Sequence, residues 1–394
     1  MNSKILAEAV QEYLHKNQNA DANDIALAKS PFECISAAQL AGQIQARKKA
    51  EKKLPTWFNT KGVYFPSPLS IEQTSSEITA AYKAKLARGA SLIDLTGGFG
   101  VDAYYFSKKV AQVVHCEIDP SLSEIAKYNG GVLDTQNIEF KNKDGIEHVK
   151  TGSAVFDTIY VDPARRAEKG KVFMLKDCTP DIAGNLIELL NKTTRIIIKT
   201  APLLDLSAGL AELQHVSQIH IVSIKNECKE LLWIIDKDYT GDVEIIATTL
   251  NEHEKCLMIN KSNQNTTVIF TNEFTTGDYL YEPDAALLKS GAFNFIGQHY
   301  QLKKLHPQTQ LYVSKSVNDS FPGRIFRIEE MLTTTELKKR KTLKGNVIVR
   351  NYPAKAEELV KKYKIKPSAL QFLIFTKISN GDNIILVGSI KQYY

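Results

Sequence analysis

Leu92-Ile93-Asp94-Leu95-Thr96-Gly97-Gly98-Phe99-Gly100-Val101-Asp102 reads as an apolar strand ending in a carboxylate, a glycine-rich turn, and the start of a helix. Glycines let such a turn take positive φ and bring its backbone close to a ligand. Amides at the helix start then face that ligand. Gly98-Phe99-Gly100-Val101-Asp102-Ala103 fits the loose dinucleotide pattern G-x-G-x-x-G/A. Asp94 at the strand end opposes a pyrophosphate, because like charges repel there. An acid in that place suits a ligand that brings a cation. S-adenosylmethionine (SAM) carries an ammonium, a sulfonium and a ribose, so the charge pattern favours SAM over NAD.

The next acidic positions extend this reading. Val113-Val114-His115-Cys116-Glu117-Ile118-Asp119-Pro120 is a second strand ending in acids, with Glu117 23 residues beyond Asp94. That is close to the spacing at which a strand-end carboxylate takes ribose hydroxyls. Ile118 would offer an apolar surface to an adenine. Asp144, after a third strand around Ile138–Phe140, would accept from the adenine amine, and Asp162, ending Asp157–Val161, would stand near a reacting methyl. Four acids at the ends of four successive strands form a more specific pattern than the glycine loop alone.

The rhythm around these positions is that of a doubly wound parallel sheet. Strands are expected near 91–95, 111–117, 137–140, 156–161 and 194–199, with an amphipathic helix over Asp181–Leu190. Two further apolar runs, Gln218–Ile224 and Glu230–Ile235, stand too close for a crossover helix and must pair antiparallel. A parallel sheet that ends in an antiparallel hairpin departs from the dinucleotide fold and gives a second reason to prefer SAM.

Asp94-Leu-Thr-Gly-Gly-Phe-Gly, Glu117-Ile-Asp-Pro, Asp144 and Asp162-Pro-Ala-Arg165 together resemble the class I SAM-dependent methyltransferases. Asn226-Glu-Cys-Lys-Glu-Leu-Leu-Trp233, Tyr281-Glu-Pro-Asp-Ala-Ala-Leu-Leu-Lys-Ser-Gly-Ala292 and the tail from about Arg350 to Ile390 narrow the resemblance. They look like the bacterial members that carry a THUMP-like C-terminal domain. The resemblance implies a seven-stranded Rossmann-like α/β core, SAM as methyl donor, and an RNA substrate, tRNA or rRNA. Asp94, Thr96, Gly97, Gly98 and Gly100 would then hold the methionyl part, Glu117 and Ile118 the ribose and adenine face, and Asp144 the adenine. Gln73 and Ser75, before the first strand, would reach the methionyl carboxylate. Asp162, Pro163 and Arg165 would form the catalytic motif, with Arg166 and Lys199 beside it. No metal is expected.

The motif departs from two relatives. Amino-methylating enzymes place an aromatic after Asn/Asp-Pro-Pro, whereas here Ala164 and Arg165 follow Pro163. Uracil C5 methyltransferases use a cysteine after the fifth strand, and Ile198-Lys199-Thr200-Ala201-Pro202-Leu203 has none. Cys228 is the one cysteine near enough to consider. Direct attack by a base nitrogen or a ribose oxygen is the expected chemistry. An NAD-type oxidoreductase and a non-catalytic RNA-binding protein that keeps a SAM fold are the rival readings.

Composition sets the frame. A chain of 394 residues implies two or three domains. Five scattered cysteines without a C-x-x-C pair speak against disulfides and structural zinc. No apolar run is long enough to span a membrane, and the N-terminus lacks the pattern of a signal peptide, so a cytoplasmic protein is expected. The net charge of +6 is uneven: residues 324–394 hold 15 Lys or Arg against 6 Asp or Glu. Segregated positive charge reads as a polyanion footprint. The expected organisation is a helical region over 1–90, the core with a β-rich extension over 91–275, a small α+β ferredoxin-like module over 279–323 and a basic THUMP-like module over 324–394. Within these, Ser70 is expected to start one helix running through Tyr82 and Leu86, and Thr267–Thr271 to form a strand.

Overall fold

The structure is a computed structural model that describes residues 1–165, 174–263, 266–340 and 342–394. Two compact units divide the chain: Met1–Ser217 with Leu232–Thr240, and Gln218–Leu231 with Gly241–Tyr394.

The main sheet begins with β1 (Ser91–Asp94), β2 (Gln112–Cys116), β3 (Ile138–Lys141), β4 (Phe156–Val161) and β5 (Thr193–Thr200). These run parallel, with β1 between β2 and β4, β3 outside β2 and β5 outside β4. Ile93, Val113, Ile159 and Ile196 to Ile198 are fully buried, as expected for strands covered on both faces. β6 (Val216–Ile224) and β7 (Glu227–Asp236) are joined by Lys225 and Asn226, both at positive φ (51° and 61°). That is the backbone of a two-residue primed turn, so β7 runs against β6. The inner seven strands lie in the order β3-β2-β1-β4-β5-β7-β6.

The sheet is wider than the seven strands expected. β8 (Glu244–Leu250) lies parallel to β6, and β9 (Glu254–Ile259) antiparallel to β8. The strand expected at Thr267–Thr271 is absent; a single bridge joins Phe270 to Lys304. β9 fills the edge instead. Its charged start, Glu254-Lys255, hides a short apolar run in the sequence.

The N-terminal region folds as α1 (Glu8–Lys16), α2 (Ala22–Leu27), α3 (Ala37–Lys53), α4 (Pro55–Asn59), α5 (Pro68–Gln73) and α6 (Glu77–Ala84). The single helix expected from Ser70 is two. Ser67 caps α5 through the Ser70 N–H (3.1 Å), and Ser76 caps α6 through the Thr79 N–H (3.2 Å). A serine at such a position satisfies an amide that the helix leaves unpaired. The break at Thr74-Ser75-Ser76 frees Ser75 from helical geometry.

These helices share their core with the glycine loop and the crossovers. The crossovers are α7 (Val101–Ser107), α8 (Pro120–Val132), α9 (Gly145–Thr151), α10 (Ile182–Leu190) and α11 (Leu206–Glu212). Leu40, Ile44, Trp57, Phe65 and Ile71 pack in one cluster with Phe99, Val101 and Ile125. Two buried amides anchor the extended stretch between α4 and α5. Asn129 accepts the Tyr64 N–H (2.9 Å) and donates to its carbonyl (2.9 Å); Gln43 does the same for Phe65 (3.2 and 2.5 Å). Glu77 accepts from Thr56 (N–H at 2.6 Å, hydroxyl at 2.7 Å) and from the Tyr105 hydroxyl (2.7 Å).

In the second unit, β10 (Tyr279–Pro283), β11 (Lys303–His306), β12 (Thr309–Ser314), β13 (Gly323–Leu332), β14 (Asn346–Arg350), β15 (Gln371–Lys377) and β16 (Asn383–Gln392) form one sheet. Its order is β11-β12-β10-β13-β16-β15-β14. β13 pairs with β10 on one side and β16 on the other, so one sheet runs through both expected modules, 279–323 and 324–394. The helices of this unit are α12 (Ala285–Ser290), α13 (Phe293–His299), α14 (Thr334–Lys339) and α15 (Ala356–Tyr363). The two motif segments quoted above meet here. Asn226 accepts the Ala285 N–H (2.9 Å), Ser223 donates to Asp284, and Asp284 caps α12 at the Ala286 N–H (2.9 Å). Buried Glu282 is held by Arg324 (2.6 Å) and Arg350 (2.6 Å).

Replacing Asn129 by alanine strands one buried donor and one buried acceptor of Tyr64. Each costs about 1–3 kcal/mol. We expect the Asn129→Ala protein to lose a few kcal/mol in urea unfolding, and limited proteolysis to cut first near residues 60–67.

Candidate functional site

The loop after β1 is shaped by packing and by backbone geometry, at different glycines. A Cβ on Gly97 would lie 2.2 Å from Nε2 of His115, a fully buried side chain of β2. Gly98 and Gly100 take φ of +55° and +87°, which favour glycine. A Cβ on Gly145, the first residue of α9, would come within 2.5 Å of the Leu95 backbone. Gly145 was not singled out from the sequence, since no pattern there announces so close an approach. His115 is kept neutral because burial pushes its pKa down to about 4.

Asp94 lies beneath this loop, 1% exposed. One oxygen accepts the Thr96 N–H (3.0 Å); the other is buried with no hydrogen-bond partner. Burial, then the charge of Asp102, pushes this carboxyl well above the ordinary range, with Asp162 and Glu117 adding to the effect. Glu117 holds the loop from the next strand: its two oxygens accept the Gly98 N–H (2.8 Å) and the Asp119 N–H (2.8 Å). Ile118 stands 70% exposed beside it, and Asn142 donates to the carbonyls of Glu117 (2.8 Å) and Ile118 (3.1 Å).

Asp102 is more than a favourable charge at a helix start. It forms an ion pair with Lys83, a fully buried residue of α6 (3.1 Å), and is itself largely covered. Ser75 (2.8 Å) and Tyr160 (2.9 Å) donate to its other oxygen, and Lys83 donates to Ser75 (2.7 Å). Burial opposes ionisation of Asp102, but Lys83 and Lys199 with these hydrogen bonds outweigh it and hold the carboxyl below its ordinary value. The sequence gives no hint of Lys83, which sits in a short helix among ordinary residues. The Ser75 hydroxyl, expected at a methionyl carboxylate, takes part in this network.

Asp162 follows β4. Its N–H donates to the Thr96 hydroxyl (2.7 Å), and its carboxylate is paired with Lys199 of β5. Pro163 is buried, and Ala164–Arg165 form a two-residue ladder with Cys178–Thr179. Arg166 lies outside the described residues, as does the side chain of Arg165. A cavity of ≈ 130 Å³ brings Gln73, Ser75, Thr96, Gly97, Gly98 and Asp162 together. Asp94, Gly100, Glu117 and Ile118 do not line it, and neither does Asp144. It is exposed, caps α9 through the Glu147 N–H (3.0 Å), and lines a separate cavity with Asp181 and Asn185. Cys228 is no nucleophile at neutral pH, since burial pushes its thiol up to about 12.

Comparison with known proteins agrees with this fold. Residues 279–322 match a ferredoxin-like domain family and residues 323–389 a THUMP domain-like family. A crystal structure from Porphyromonas gingivalis W83, assigned as a methyltransferase, is 30% identical, covers 99% of both chains and superposes with a TM-score of 0.87. An uncharacterized SAM-dependent methyltransferase of Mycobacterium tuberculosis (strain ATCC 25618 / H37Rv) is 22% identical over 79% of this chain and 84% of its own. An uncharacterized RNA methyltransferase of Mycoplasma mobile is 28% identical over 32% of this chain and 36% of its own. The chain belongs to the class I SAM-dependent methyltransferases that carry a THUMP-like C-terminal domain.

The raised Asp94 carboxyl fixes the sign of a pH effect. In the unfolded chain an aspartate ionises near about 3.9. Between that value and the higher native one, the native state holds the extra proton, so stability falls as pH rises. We expect Asp94→Asn, which keeps the acceptor for Thr96, to melt above the parent at pH 7 in the absence of ligand. Calorimetric scans should show the difference vanish below about pH 4.

Proposed function

We propose that this methyltransferase acts on RNA, binding SAM along the edge of β1 to β3 and transferring its methyl group at Asp162. The observation that carries the donor site is the buried Asp94 oxygen without a partner, beneath a loop that leaves no room for side chains at Gly97. A buried carboxylate of that kind is costly alone and favourable once a cation reaches it. The donor's positive charges meet that need.

The remaining roles follow from chemistry. An ionised carboxylate accepts at about four lone-pair sites. Glu117 spends two on backbone amides and keeps the others for the ribose hydroxyls. Ile118 offers its exposed side chain to the adenine face. Asp144 keeps one oxygen free of its helix cap for the adenine amine. Gln73, exposed at the end of α5, reaches the methionyl carboxylate. Asp162 and Pro163 face the acceptor.

RNA is the acceptor class that the rest of the chain supports. The excess of positive charge is confined to the C-terminal 71 residues, where Lys361, Lys362, Lys364 and Lys366 stand exposed around the end of α15. The THUMP domain-like match and the partial likeness to an RNA methyltransferase point the same way. No helix among the described residues is long and apolar enough to cross a membrane.

Two measurements test this. Titration calorimetry should give heat with SAM and none with NAD, and Glu117→Ala should weaken SAM binding by roughly 10- to 100-fold, the worth of charge-assisted hydrogen bonds. Changing the four lysines to glutamate should weaken RNA binding and flatten its salt dependence, since each lost contact to a single strand removes about 0.7 from the log–log slope. SAM affinity should not change. Equal RNA affinity in the quadruple variant would remove the C-terminal part of the reading.

A further inference from the structure

Resting on the reading of the protein as an RNA methyltransferase, we propose that the atom methylated is a ribose 2′-hydroxyl oxygen, and that Lys199 with Asp162 selects it. Val161 and Ile198 are register partners on parallel strands, so Asp162 and Lys199 follow side by side at the same sheet edge. Their side chains are in contact, 30% and 15% exposed. The Thr96 hydroxyl holds the Asp162 backbone in place (2.7 Å), and Asp162 lines the cavity at the glycine loop. An ammonium and a carboxylate therefore stand together where the acceptor must arrive.

The two kinds of acceptor make opposite demands on that pair. A base nitrogen that takes a methyl group becomes more positive in the transition state. A fixed ammonium beside it raises the barrier, and a lone carboxylate would serve better. A hydroxyl oxygen becomes negative as its proton leaves. It needs a cation to stabilise that charge and a base to receive the proton. Lys199 and Asp162 supply both. An ammonium has three donors and can serve a carboxylate and a hydroxyl oxygen at once.

Within an RNA chain the ribose hydroxyl left free is the 2′.

The step balances as follows. The S–CH₃ bond breaks, its electron pair going to sulfur, which becomes a neutral thioether. The O–CH₃ bond forms. The hydroxyl proton passes to the Asp162 carboxylate and then to solvent, while Lys199 donates to the oxygen as it carries negative charge.

The test uses the full chain, trideuteromethyl SAM and RNA from a strain in which the gene is deleted. Product nucleosides are fragmented in a mass spectrometer. Label leaving with the ribose is the expected result. Label retained on the base overturns this proposal and leaves the RNA methyltransferase reading standing; no label in RNA, with SAM binding intact, overturns both. Lys199→Met should lower kcat by about 10²- to 10³-fold, as for loss of one donor to a developing oxyanion, with KM for SAM unchanged. Lys199→Arg, which keeps the charge, should recover part of the loss. A Lys199→Met protein with parental kcat would overturn the proposal.

Discussion

Asp94 is buried within reach of the charges of Asp102, Glu117 and Asp162, and the first unit is organised around that crowding of negative charge. Lys83 neutralises Asp102 from inside the fold, and Lys199 pairs with Asp162 at its edge. Glu117 is steadied by the loop amide of Gly98. One Asp94 oxygen has no such partner. A buried carboxyl oxygen left without a partner is costly to the fold.

The N-terminal helices matter to the same cluster. Lys83 and Ser75 come from this region, and Trp57 packs on Phe99 in the middle of the glycine loop. A loop rich in glycine has more backbone freedom to lose than any other. Here its apolar residue is clamped by a helical layer, and its amides are tied to Glu117 and to the Cys116 carbonyl (2.7 Å). The helical region is thus part of the site's construction.

In the second unit, the ferredoxin-like and THUMP-like segments are consecutive in sequence yet share one sheet through β13. The buried Glu282 ties the two segments together. It lies on β10 in the first segment, and its arginine partners, Arg324 and Arg350, belong to the second. Removing either arginine leaves a buried charge poorly compensated, which is strongly destabilising. Composition alone cannot reveal such a pairing, because Arg324 and Arg350 read as members of a solvated basic surface.

The sequence by itself determined the parallel core, the hairpin that ends it, and the glycine loop with an acid before it. These rest on local rules: apolar runs of strand length, turn residues between them, and connections too short for a crossover. It also placed Glu117 beside the loop, since strand-end spacing is set by one βαβ unit. Only the tertiary structure decided which acids share a space. Of the four strand-end acids, Asp162 lines the cavity at the glycine loop, Asp94 and Glu117 bond to that loop, and Asp144 caps a helix beside another cavity. Ser75 bonds Asp102 from the break between α5 and α6, a pairing that its place in the sequence does not announce. Lys83 and the Lys199–Asp162 pair join positions 19 to 37 residues apart. Such pairings are set by how helices and strands pack, and a buried lysine looks like any other until its surroundings are known.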